Sequence, residues 1–166
     1  MSEQGFDSDP AIWRRIVEGH IAFSAALQAF FATGVNRVAL MRQALSNPRD
    51  AGTAIYVAQF MDAAELLEIF DEWVGWAACS HGYAQAVREI ILALPRDWVL
   101  AHIETVAEPL LQQGTYDEYR RLLELYIQLG YNLTHRLATR AAKDPDPDIR
   151  EAGEEFLEAL SAHKER

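Results

Sequence analysis

The sequence predicts an all-α fold in which about eight helices stack as hairpins. Apolar residues recur at steps of three and four through most of the 166-residue chain. Prolines, glycines and Asp, Asn or Thr residues fall at the ends of those stretches, where helices start and stop. No segment sustains period-two alternation of β-branched residues, and no Asn-Gly or Asp-Gly hairpin turn occurs. An irregular helical bundle is the alternative arrangement of the same helices.

The elements follow in order. Residues 1–8 read as a flexible polar tail and residues 9–163 as one helical domain. Asp9 is placed to cap a helix with Pro10 in its first turn, where a missing N–H leaves nothing unsatisfied. Ile12, Ile16, His20, Phe23, Leu27 and Phe30 then form one stripe, widened by Trp13, Val17 and Phe31, until Gly34 ends the helix. A second helix runs from about Val35 to Leu45, and Asn47-Pro48 stops it by forcing an extended residue before the proline. A third spans about Pro48 to Phe60.

Asp62 and Glu65 have the spacing of a capping box, with Met61 and Leu66 as its hydrophobic staple. The helix they open carries Leu66, Leu67, Ile69, Phe70, Trp73, Val74, Trp76 and Ala77 around most of its circumference, as a centrally placed helix does. Two more amphipathic helices, Gly82 to Leu94 and Asp97 to Gln113, are separated by Pro95, and Pro109 is expected to kink or shorten the second. Thr115 and Glu118 form a capping box in standard spacing for a helix ending at Gly130. Asn132 is placed to cap a helix to about Lys143, and Asp146-Pro147 opens the last one.

Composition bounds the function. Hydrophobic residues make up 50% of the chain and charged ones 24%, values of a globular protein. At this length roughly 70% of the unfolded chain's surface can be buried, enough for a core without disulfides. The single cysteine, Cys79, has no intramolecular partner and fits a reducing compartment, so a cytoplasmic location is expected. Met1 to Pro10 is polar and acidic, unlike a signal or transit peptide. The apolar run Ile21 to Ala32 is interrupted by Ser24 and Gln28 and is short of the roughly 20 residues that cross a bilayer, so no membrane span is expected. A formal net charge of -10 repels phosphate backbones and argues against generic nucleic-acid binding.

One internal echo stands out. Asn47-Pro48-Arg49-Asp50 recurs as Leu94-Pro95-Arg96-Asp97, 47 residues later, and Asp144-Pro145-Asp146-Pro147-Asp148 follows about 50 residues further on. Each lies between two amphipathic stretches. Leu66 to Phe70 (LLEIF) is also similar to Leu122 to Tyr126 (LLELY). A period of 40 to 50 residues with a Pro/Asp turn resembles HEAT and armadillo repeats. The likeness is greatest over about Thr115 to Leu160. There Asp148 and Arg150 match the turn aspartate and helix arginine of a HEAT unit, and Ile149 and Ala152 match its apolar positions. Val99 and Gly52 stand where the other two units would carry the arginine. The resemblance implies a right-handed stack of helix hairpins, a short α-solenoid.

Candidate chemistry is sparse. No Glu-x-x-His, His-Glu-x-x-His or glycine-rich phosphate loop occurs, and Cys79 with His81 has no second cluster, so neither metal nor cofactor is expected. His20 and His102 read as partly buried polar members of a core, and Cys79 as a small buried hydrophobe. Trp73 and Trp76 share a helix face; with Trp98 they either fill the core or line a pocket. Arg136, Arg140 and Lys143 share another face, and Arg120 and Arg121 lie on the preceding helix. These five cations form a positive patch for an acidic partner segment, or else a solvated face paired to Glu118, Glu124 and the acidic final helix.

The expected function is therefore a non-catalytic protein-interaction module, a scaffold, adaptor or regulator that has one protein partner or pairs with itself. The alternatives are a helical-repeat enzyme acting on nucleic acid and a small-molecule sensor with a pocket between helices.

Overall fold

The computed structural model describes residues 9–164. The expected tail over residues 1–8 lies outside the described residues. Among them there are ten helices and no strand. The chain divides into two compact units, Met1–Arg37 and Val38–Arg166, where the sequence reads as one domain over 9–163.

The first unit is built on α1 (Asp9–Ala32), whose 24 residues extend about 36 Å. Its apolar stripe has the expected register but a different environment. Ile12, Trp13, Ile16, Val17 and Ile21 are exposed, Trp13 at 66%. His20, expected as a half-buried core residue, is exposed as well. Toward the C-terminal end Phe23, Leu27, Phe30 and Phe31 are half-buried, and the Phe30 and Phe31 rings meet edge to face at 5.2 Å.

The second unit holds the core. Its helices are α2 (Arg37–Leu45), α3 (Ala51–Ala58), α4 (Ala63–Leu67), α5 (Phe70–Ala77), α6 (Ala84–Ala93), α7 (Arg96–Gln112), α8 (Tyr116–Leu129), α9 (Tyr131–Ala141) and α10 (Pro147–Lys164). The single helix expected after Asp62 is two, α4 and α5, divided at Glu68 and Ile69. Trp73 is fully buried, and its indole N–H donates to the Leu66 carbonyl at 3.2 Å. That carbonyl also accepts from the Ile69 N–H in a tightened turn. Burying an indole requires a partner for its N–H, and the break in the helix supplies one.

The two expected capping boxes have different outcomes. Asp62 makes no side-chain capping bond. At α8 the box is complete: Thr115 accepts from the first-turn backbone, and Glu118 Oε2 accepts from the Thr115 N–H at 2.7 Å. Asn132 lies inside the first turn of α9, because Gly130, at φ 149°, takes the N-cap position that a side chain there would strain. Pro109 does not end α7; it is exposed in the last turn, and the helix continues to Gln112.

Packing radiates from α8, which touches α5, α6, α7, α9 and α10. Leu122, Leu123, Leu125, Tyr126 and Leu129 are buried along it, each apolar side chain contributing on the order of 1.5–3 kcal/mol. Successive helices also pair: α5 with α6, α7 with α8, and most extensively α9 with α10. The last pair closes over Gly153, where an added Cβ would press into the backbone of α9, 2.7 Å from the Ala138 oxygen.

The three Pro/Asp corners share a sequence but not a structure. In the first, Asn47 Nδ2 bonds Asp50 Oδ2 at 2.6 Å while its Oδ1 accepts from the Arg49 N–H. In the second, Pro95 caps α7 without a side-chain bond and Arg96 reaches to the Leu129 carbonyl at the end of α8. In the third, Asp146 Oδ1 accepts from the N–H groups of Asp148 and Ile149. Arg150, the HEAT-like arginine, donates to the Asp144 carbonyl at 2.7 Å and the Pro145 carbonyl at 3.3 Å. The other echo differs too, since residues 66–70 straddle the α4–α5 break whereas Leu122 to Tyr126 is continuous helix.

Candidate functional site

The five cations of the expected patch lie on α8, on α9 and just beyond it, and four of them are bound to acids. Arg136 makes a two-pronged bond to Glu104 of α7, at 2.9 and 2.7 Å. Arg140 reaches Glu108 one turn further along, at 2.6 Å, and lies over the Tyr119 ring. Arg120 is paired with Glu155 of α10, and Arg121 with Glu124 at 2.7 Å and Asp117 at 3.6 Å. Glu124 also takes Arg88, a buried arginine of α6, at 2.5 Å. Lys143 is exposed and has no ion pair among the described residues. Arg120, Arg136 and Arg140 therefore tie helices together, Arg121 pairs within α8, and Glu118, expected as one of their partners, serves the α8 cap instead.

Beneath the Arg136 and Arg140 pairs is a cavity of about 130 Å³, into which Tyr126 contributes. The Tyr126 hydroxyl is buried without a hydrogen-bond partner among the described residues, and burial, then the nearby Glu104, raises its pKa. The space is large enough for water to satisfy it.

The three tryptophans separate. Trp73 fills the core. Trp98 is half-buried, edge-on to Phe70 at 5.1 Å and stacked on His102 at 3.9 Å. His102, expected partly inside, is exposed, with its Nδ1 2.7 Å from the Trp98 carbonyl. Trp76 lines a groove of about 570 Å³ between α2, α5 and the turn after α5. Arg42 of α2 reaches into this region, donating to Glu72 Oε1 at 2.6 Å and to the Glu68 carbonyl at 2.5 Å, with Asp71 at 3.4 Å. Burial, then a proton shared with Asp71 and that residue's charge, push the Glu72 carboxyl up from 4.5 to about 7.

The rim of this groove is the turn Ser80–Tyr83. His81 Nδ1 accepts from the Tyr83 N–H at 3.0 Å, which leaves Nε2 to donate to the Trp76 carbonyl at 2.7 Å. The imidazole and indole rings meet in a T-shaped arrangement with centres 4.8 Å apart. Asp117 of α8 accepts from the Ser80 N–H at 2.8 Å and from its hydroxyl. Cys79 is exposed rather than buried, because α5 ends at Ala77 and the chain turns outward there. Partial burial, then the charges of Glu118 and Asp117, raise its thiol pKa, which disfavours the thiolate.

Of the groove's residues, sequence reasoning singled out Trp76, Cys79 and His81 and missed Arg42 and Glu72. Arg42 is 30 residues from Glu72, and no local spacing links them. Among the described residues no group of three His, Cys, Asp or Glu side chains is arranged to hold a metal ion. No described helix is long and apolar enough to cross a membrane. No protein-family model matches this chain, and no curated protein and no solved structure shows significant similarity to it.

Proposed function

We propose that this chain is a non-catalytic protein-interaction module whose docking element is α1. One observation carries the reading: five large apolar side chains, Ile12, Trp13, Ile16, Val17 and Ile21, are exposed on one stretch of this helix. Large apolar groups concentrated in that way mark interaction surfaces, whereas isolated ones are ordinary. Ile12, Trp13, Ile16 and Val17 share one face of the helix, as in a helix laid into a groove, and tryptophan is a favoured anchor at such interfaces. Arg14 and Arg15 flank the anchors and suit a groove with an acidic rim.

The second unit is then the body of a scaffold or adaptor. Its successive helix pairs support a stacked, HEAT-like arrangement, and a lone cysteine suits a cytoplasmic setting. The test is partner capture from source cells with wild-type protein and with an Ile12→Ser, Trp13→Ser, Ile16→Ser variant. The variant is expected to lose the partner while its far-ultraviolet circular dichroism keeps the core helices. A captured partner retained at wild-type level by the variant removes α1 as the docking element. A wild-type dimer that becomes monomeric in the variant identifies a second copy as the occupant.

A further inference from the structure

We propose that the groove between α2, α5 and the Ser80–Tyr83 turn binds a small organic cation, an ammonium carried on an apolar or aromatic body. This site is separate from the α1 face and does not depend on it.

Its size, about 570 Å³, is in the range of small-molecule sites. One wall is aromatic, Trp76 with the His81 imidazole held at a steep angle to it, ring centres 4.8 Å apart. Tryptophan offers a cation the most favourable of the aromatic faces. Gly75 leaves the adjacent helix surface bare: a Cβ there would meet nothing within 4 Å. The body of a ligand has room at that point.

The groove is lined by one cation, Arg42, and one acid, Glu72, with further acids beside it. Arg42 is already committed to Glu72, to the Glu68 carbonyl and to Asp71, so its charge is locally neutralised. Glu72 retains one oxygen that is buried and has no hydrogen-bond partner among the described residues. Asp71 lies beside it, and the fields of Asp117 and Glu118 extend to Cys79 on the rim. Burial and the neighbouring Asp71 favour the protonated form of Glu72, and a single arginine does not compensate both carboxyls. An ammonium entering the groove supplies the second positive charge and displaces that proton to solvent. An anion or a neutral body of the same shape does not.

The probes are choline and benzyltrimethylammonium, with 3,3-dimethylbutanol as the uncharged shape-match of choline and benzoate as the anion. Calorimetric titration gives the affinity. Protection of Cys79, the only cysteine in the chain, against maleimide reports occupancy at the rim. The expected result is cation binding at least tenfold tighter than that of the uncharged match, no benzoate binding, and slowed Cys79 labelling with the cation alone. Gly75→Leu projects a side chain into the groove from a position with open space for its Cβ and replaces a helix-interior glycine, so it should melt no lower than wild type yet bind no cation. Trp76→Leu should weaken binding roughly 3- to 10-fold.

Wild-type affinity should rise roughly tenfold from pH 6 to pH 8 as the Glu72 carboxyl, near 7, loses its proton. Glu72→Gln should abolish that rise while Asp71, Arg42, Cys79, His81, Asp117 and Glu118 remain. The same rise in Glu72→Gln would assign the effect to another of these groups and overturn the charge argument. Absence of cation binding up to roughly 10 mM, equal affinity for the uncharged match, or undiminished binding in Gly75→Leu would each overturn the site.

Discussion

Glu72 shows how a single side chain takes its chemistry from distant parts of the chain. Burial, the proton shared with Asp71 and the charge of Asp71 raise its carboxyl from 4.5 to about 7, against the attraction of Arg42. Because the folded state holds this proton more tightly than the unfolded chain, the stabilisation is complete below about pH 4.5 and is lost as pH rises through about 7. Asp71 shifts the opposite way: its carboxyl is lowered, so its contribution is present above 3.8 and lost in more acidic solution. Of these two carboxyls, only Glu72 changes charge between pH 5 and 8. Allowing for solvent screening at this partly exposed site, wild type should lose about 1 kcal/mol between pH 5 and pH 8 relative to Glu72→Gln. Urea unfolding of both proteins at the two pH values measures it, and parallel curves would show that the proton is not held there.

The helices are joined by side chains that the sequence presents as a surface patch. Arg136 with Glu104 and Arg140 with Glu108 fasten α9 to α7 across two successive turns. Both pairs are exposed, so each contributes only about 0.2–1 kcal/mol. Replacing Arg136 and Arg140 by Glu sets like charges against each other and should cost about 1–2 kcal/mol, seen as a lower melting temperature. Lys143→Glu, with no ion pair to break among the described residues, should leave the melt unchanged. A double charge reversal without a change in melting would show that these pairs do not hold α7 and α9 together. A loss of partner binding in the arginine variant is interpretable only after this destabilisation is measured.

For the whole molecule, the buried apolar residues run from Met41 to Leu160, so the core belongs to the second unit. The exposed α1 anchors are not among the buried apolar residues. Substituting Ile12, Trp13 and Ile16 by Ser should therefore leave the stability of the second unit within the small range typical of surface changes, about 0.5 kcal/mol. Calorimetry of the same variant used for partner capture measures this. A large loss of stability would mean that these side chains are folding determinants rather than contacts held for a partner.

The sequence by itself determined the all-helical class, most helix ends and the complete capping box at Thr115 and Glu118, because apolar period, turn chemistry and capping act within a few residues. Tertiary structure alone decided that α1 displays its apolar stripe, that Trp73 divides one expected helix into α4 and α5, and that the arginines of α8 and α9 are bound to acids. It also joined Arg42 to Glu72 across 30 residues and gave three similar Pro/Asp corners three different hydrogen-bond patterns. Periodicity shows that a face is apolar without showing what covers it, and the partner of a charge or an indole N–H depends on which helices meet. Those meetings are long-range packing, and no local spacing encodes them.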